Sequence, residues 1–83
     1  MIYEVIFTES AKKDVIKLEK SGDKKSLKKL LSLLDELEKH PEIGTGRPEQ
    51  LKYFDVPTWS RRISDKHRLV YQIKEKIVTT KYL

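Results

Sequence analysis

Apolar and polar positions along the chain change period several times, and each change marks an element. Residues Met1 to Phe7 alternate loosely and are rich in Ile, Tyr, Val and Phe, the composition of a strand. Thr8 offers a side-chain oxygen to cap a helix, and Glu9 suits the positive end of its dipole. Ala11, Val15 and Leu18 share one face of that helix, which Gly22 ends. Asp23 is the expected cap of a second helix. Its apolar stripe is Leu27, Leu30, Leu31, Leu34 and Leu37, at spacings of three and four. Lys39 and His40 fit its C-terminal dipole, and Pro41 stops it. The stripe is too short for a coiled coil, so it faces a core.

From Pro41 to Pro57 the character changes. All three prolines and two of the three glycines lie there, so loop is expected, with a short strand at Leu51 to Phe54. Alternation returns at Trp59 to Ser64, Arg68 to Lys74 and Ile77 to Leu83, a three-stranded meander. Strand, two helices, then three or four strands is an α+β order. The N-terminal strand joins the C-terminal sheet, the helices cover one face, and the other face is left open. One domain spanning residues 1–83 is expected, with no repeat or linker.

The period of two sorts the meander's side chains. With a three-residue turn at Asp65, Lys66 and His67, Ser64 lies opposite Arg68. Ile63, Leu69, Tyr71 and Ile73 then share the helix-covered face, with Trp59 and Arg61 in phase. Arg62, Ser64, Arg68, Val70 and Gln72 share the open face. Arg61 is out of place on an apolar face unless it lies near an edge or snorkels. Arg62 and Arg68 together make a clamp for a phosphodiester, because guanidinium is always charged and grips phosphate oxygens bidentately. The bland alternative is a solvated face with arginines for solubility.

Composition adds a sign. The 83 residues carry a net charge of +5, which favours a polyanionic partner. The lysines from Lys12 to Lys29 lie mostly on outer helix faces, as a solvated surface or as sequence-independent attraction for RNA phosphates. There is no cysteine, so disulfides and thiolate metal sites contribute nothing. The apolar start is too short for a signal peptide, and Leu27 to Leu37 is interrupted by charges. A soluble cytoplasmic protein without a membrane span is expected.

Three strings carry more specific information. Gly44-Thr45-Gly46-Arg47-Pro48-Glu49-Gln50-Leu51-Lys52 is followed by Trp59-Ser60-Arg61-Arg62-Ile63 and then His67-Arg68-Leu69-Val70-Tyr71. They resemble the G-x-G-(K/R)-P-E-x-L-K, W-S-R-R-I and H-R-L-V-Y motifs of YoeB-type, RelE-like bacterial toxins. The resemblance implies a microbial-RNase-like fold and ribosome-dependent cleavage of messenger RNA in the A site, inhibiting translation. It implies a YefM/Phd-type antitoxin as partner, the ribosome and messenger RNA as further partners, and a homodimer as a plausible assembly. By the same resemblance Glu49 is the general base and Arg68 stabilises the phosphate. Lys52, Arg61, Arg62 and Arg47 are expected to contact RNA. No metal or cofactor is implied.

The chemistry suits those residue types. Attack by a 2′-hydroxyl needs a base, positive charge at the phosphorane and an acid for the leaving 5′-oxygen. An ordinary ion pair of Glu49 with Lys52 or Arg47 is the alternative for that carboxylate. The acid is where the motif departs. YoeB-type toxins close with a His-Tyr pair, whereas this sequence has Lys81-Tyr82-Leu83. Tyr82 on the last strand, Lys81 or a ribosomal group is the candidate acid, and neither His40 nor His67 is expected to substitute. An impaired homologue that binds antitoxin or ribosome without efficient cleavage is the second expectation.

Overall fold

The computed structural model describes residues 2–83, so Met1, which opened the expected first strand, lies outside the described residues. The order is β1 (Glu4–Phe7), α1 (Glu9–Lys20), α2 (Lys24–Lys39), β2 (Glu49–Leu51), β3 (Thr58–Arg62), β4 (Arg68–Lys74) and β5 (Ile77–Tyr82). Both expected caps form. The Thr8 hydroxyl oxygen accepts the Ala11 N–H at 3.1 Å and the hydroxyl donates to the Lys81 carbonyl at 2.7 Å. One side chain thus starts α1 and ties it to β5. The Asp23 carboxylate accepts the Ser26 N–H at 3.0 Å and its hydroxyl at 2.7 Å, and these bonds hold the acid below its ordinary pKa.

The five strands form one sheet in the order β1-β5-β4-β3-β2. The C-terminal strands are antiparallel, while β1 joins β5 in parallel, which makes the sheet mixed. Both helices lie on one face. Leu18, Leu30, Leu33 and Leu37 pack there against Ile63, Leu69, Tyr71 and Val78. No helix among the described residues is long and apolar enough to cross a membrane.

The stripe of α2 differs from expectation at one position. Leu31 is 59% exposed, and Leu33 takes its place in the core at 0%. At 3.6 residues per turn, Leu30, Leu33 and Leu37 centre the buried line, Leu27 and Leu34 flank it, and Leu31 sits about 100° round from Leu30. Leu33→Ala is therefore expected to cost about 2–5 kcal/mol, and Leu31→Lys to stay within about 0.5 kcal/mol of the parent. Urea titration of both variants checks this; equal losses would place the core line wrongly.

The β3–β4 connection is longer than expected. Arg62, not Ser64, stands opposite Arg68, and residues 63–67 form the turn. The Ser64 hydroxyl accepts the N–H groups of Lys66 and His67, both at 3.2 Å. The Ile63 and Ser64 N–H groups both converge on the His67 carbonyl, at 3.0 and 3.1 Å. Those bonds close a loop, so the ladder stops two residues early. A two-residue change preserves parity, and the side chains keep their expected faces. β2 also lies earlier than Leu51 to Phe54, because Tyr53 adopts φ 69° and leaves the extended region.

Candidate functional site

Cross-strand pairing lines up the face opposite the helices. Glu49 pairs with Ser60, Ser60 with Val70, and Val70 with Tyr82, so one row runs from β2 to β5. Partners in a ladder share a face, and adjacent strands lie about 4.7–4.9 Å apart, so the two ends are about 14 Å apart along the sheet. The next row holds Arg62 directly opposite Arg68. Across the two rows, Ser60 and Val70 are buried, whereas Glu49, Arg62, Arg68 and Tyr82 are exposed. A floor of small side chains is thus ringed by one carboxylate, two guanidinium groups and one phenol.

A β-bulge at Val70/Tyr71 skips Lys81 and sets this arrangement, since Tyr71 pairs with Thr80 while Val70 pairs with Tyr82. The extra residue rotates Tyr82 onto the arginine face. Leu83 turns the other way. It packs partly buried against the core, and its N–H donates to the Asp14 carboxylate at 3.1 Å. Position 83 therefore faces α1 rather than the arginines.

The remaining candidates divide. Lys52 and Arg47 are exposed on either side of β2. Among the described residues, no ion pair engages Glu49, so the alternative pairing with Lys52 or Arg47 does not form. Arg61 corrects the expectation of an RNA contact: it is 0% exposed and neither snorkels nor reaches an edge. Its Nε donates to the Tyr71 hydroxyl at 3.1 Å, one terminal nitrogen to Glu36 Oε1 at 2.8 Å and the Thr45 carbonyl at 3.4 Å. The other terminal nitrogen donates to the carbonyls of His40 and Ile43, at 2.9 and 2.8 Å. All five guanidinium donors are used inside the fold.

Arg61 thereby anchors the loop that delivers Glu49. Glu36 also accepts the Thr45 N–H at 2.8 Å and its hydroxyl, and the Arg62 N–H donates to the Gly46 carbonyl at 2.6 Å. The first glycine of the G-T-G string suits this: Gly44 has φ 130°, and a Cβ there would collide with Glu36 Oε1. Burial pushes the Tyr71 phenol up against the pull of Arg61, so it stays protonated and donates to the Pro41 carbonyl at 2.6 Å. Glu36, Thr45 and Tyr71 were not foreseen as a unit. The signal was Arg61 itself, a cation in phase with Trp59 and Ile63.

Burial would raise the Glu36 carboxyl, but hydrogen bonds from Thr45 and Arg61 outweigh it and hold the group below its ordinary value of 4.5. A depressed folded pKa stabilises fully above the unfolded value and is lost as pH falls through the folded one. Stability is therefore expected to drop below pH 4.5, and Glu36→Gln to flatten part of that drop. Urea midpoints measured against pH test this. Parallel profiles for parent and variant would refute it.

The two histidines stand elsewhere. His40 Nδ1 is 2.8 Å from the Ile43 carbonyl, and His67 lines a recess under α1 with Asp14, Leu18 and Leu83.

Comparison with known proteins agrees with this fold. Residues 7–82 match the family described as YoeB-like toxin of bacterial type II toxin-antitoxin system. Toxin YoeB of Synechocystis sp. is 38% identical over 73 residues, spanning 88% of this chain and 84% of that protein. The YoeB dimer from Staphylococcus aureus superimposes with a TM-score of 0.81 at 31% identity, across 99% of this chain and 94% of that one. The toxin in the heterotetrameric YoeB-YefM complex from the same species gives 0.79 at 31%, with the same coverage. The chain belongs to the YoeB-like toxins of bacterial type II toxin-antitoxin systems.

Proposed function

We propose that this toxin is an endoribonuclease that cuts messenger RNA on translating ribosomes in the cytoplasm and so stops protein synthesis. The observation that carries the reading is the shared exposed face of Glu49, Arg62, Arg68 and Tyr82 in two adjoining rows of the sheet. Glu49 takes the proton of a 2′-hydroxyl, whose oxygen then bonds to the adjacent phosphorus. Arg68, with Arg62 beside it, balances the charge gathering on the phosphorane oxygens. The bond from phosphorus to the 5′-oxygen breaks, and the Tyr82 phenol supplies the proton that oxygen needs. The products are a 2′,3′-cyclic phosphate and a 5′-hydroxyl. Lys52 and Arg47 hold the flanking backbone. Arg61 acts only through the loop it anchors.

Partner assignments follow from the relatives. The Staphylococcus aureus protein forms a complex with YefM and is also described as a dimer. A YefM-type antitoxin is proposed as the inhibitor of this chain, and a homodimer as its free form.

One observation favours a second reading. With Leu83 turned into the core, Tyr82 is the proton donor that the last strand presents to the arginines. A toxin that depends on a phenol alone would bind its partners and cut slowly.

Translation of a defined message with added toxin, followed by primer extension, separates the readings. Cuts that need ribosomes and vanish in Glu49→Ala support the main proposal. Ribosome or antitoxin binding without cuts assigns the second. Neither binding nor cuts sinks both.

A further inference from the structure

Among the described residues, two of the three non-glycine residues with positive φ bracket β2: Arg47 at 51° before it and Tyr53 at 69° after it. The left-handed region disfavours side chains with a Cβ, and glycine or a short polar residue usually occupies it. A bulky aromatic residue there is a genuine outlier. Packing does not compensate for it, because Tyr53 is 101% exposed and its neighbour Phe54 is 51% exposed. Two rings therefore stand in water on a strained turn, and such strain concentrates at binding sites.

The surroundings indicate what the rings meet. Lys52 precedes them, and Glu49 is four residues upstream, at most about 14 Å along an extended chain. Arg62 and Arg68 lie past the Glu49 end of the β2–β3 ladder and Tyr53 past its Leu51 end, about six residues or about 20 Å along the strands, and Asp55 is the one acid in this loop. Flat apolar surfaces beside a lysine, with an arginine pair farther along the same strands, suit unpaired bases, whose faces stack while their phosphates follow the charges.

We infer that Tyr53 and Phe54 form a stacking platform for unstacked bases of the RNA strand whose scissile phosphate lies at Arg62 and Arg68. The inference rests on the RNA-cleaving reading above and adds a base-binding subsite to it. The sequence tolerance of stacking makes this an affinity device more than a reader of base identity.

A short single-stranded RNA carrying 2-aminopurine serves as probe, titrated with the intact protein and with Tyr53→Asn and Phe54→Ser. Wild-type protein should quench the fluorescence, and each variant should bind about 5- to 150-fold more weakly, the range for one lost stack. Asparagine enters the left-handed region readily, so the Tm of Tyr53→Asn should hold or rise while its affinity falls. Affinity within twofold of wild type in both variants overturns the inference, as does no quenching by wild type. A Tyr53→Asn affinity loss accompanied by a lower Tm also overturns it, since that marks a structural role. Unchanged oligonucleotide affinity with continued cutting of translated message removes the platform and leaves the proposed function standing. Quenching without any cutting does the reverse.

Discussion

Replacing Glu49 by Gln should slow cleavage of a translated message by about 10²- to 10⁴-fold, the usual contribution of a positioned general base. The amide preserves shape and removes only the proton acceptor. Arg68→Ala should lose about 10²- to 10³-fold, comparable with removing one donor from an oxyanion site. Both residues are exposed and lie outside the helix-covered core, so their loss should leave folding intact. Surface changes of this kind usually fall within about 0.5 kcal/mol. Primer extension gives the rates and urea titration the stabilities. Glu49→Gln cutting at the parental rate would remove this residue from the chemistry.

The second large effect concerns the neighbouring arginines. Arg61→Ala removes five donors at once: the Glu36 carboxylate loses its ion pair, and the Thr45, His40 and Ile43 carbonyls and the Tyr71 hydroxyl each lose a donor. Breaking a buried ion pair by deleting one partner costs about 3–5 kcal/mol. Domains usually hold only about 5–15 kcal/mol in total, so a large part of the native population is at stake. Arg61→Lys should recover little, because an ammonium cannot reproduce a planar fork of five N–H groups. Arg62→Ala, one residue along and on the opposite face, should unfold at the parental denaturant concentration and lose cleavage instead. Adjacent arginines would then show opposite phenotypes, read by urea midpoint and by primer extension. An Arg61→Ala protein as stable as its parent would contradict the anchoring role.

Much of this was legible in the sequence because local physics decided it. Thr8 and Asp23 cap the helices they precede, and the period of two assigns Arg62 and Arg68 to one face although the turn is two residues longer than the pattern suggests. Parity survives because the difference is an even number of residues. What escaped depends on tertiary partners. Leu31 and Leu33 are chemically alike, and only the direction of the sheet chooses between them. The role of Arg61 needed the carbonyls of a loop some twenty residues away in sequence. The bulge that turns Tyr82 outward and Leu83 inward leaves no mark in composition. Glu49 and the motif around it were recognised by resemblance, since an exposed carboxylate has no local signature.

The most direct measurement is the chemistry of the cut ends. Toxin is added to ribosomes translating a defined message, and the new termini are identified by mass spectrometry. Attack by the 2′-hydroxyl at the Glu49–Arg68 face requires a 2′,3′-cyclic phosphate, or the monophosphate it opens to, upstream and a 5′-hydroxyl downstream. Glu49→Gln should suppress both ends. A 3′-hydroxyl with a 5′-phosphate, or cuts indifferent to Glu49, would contradict the account.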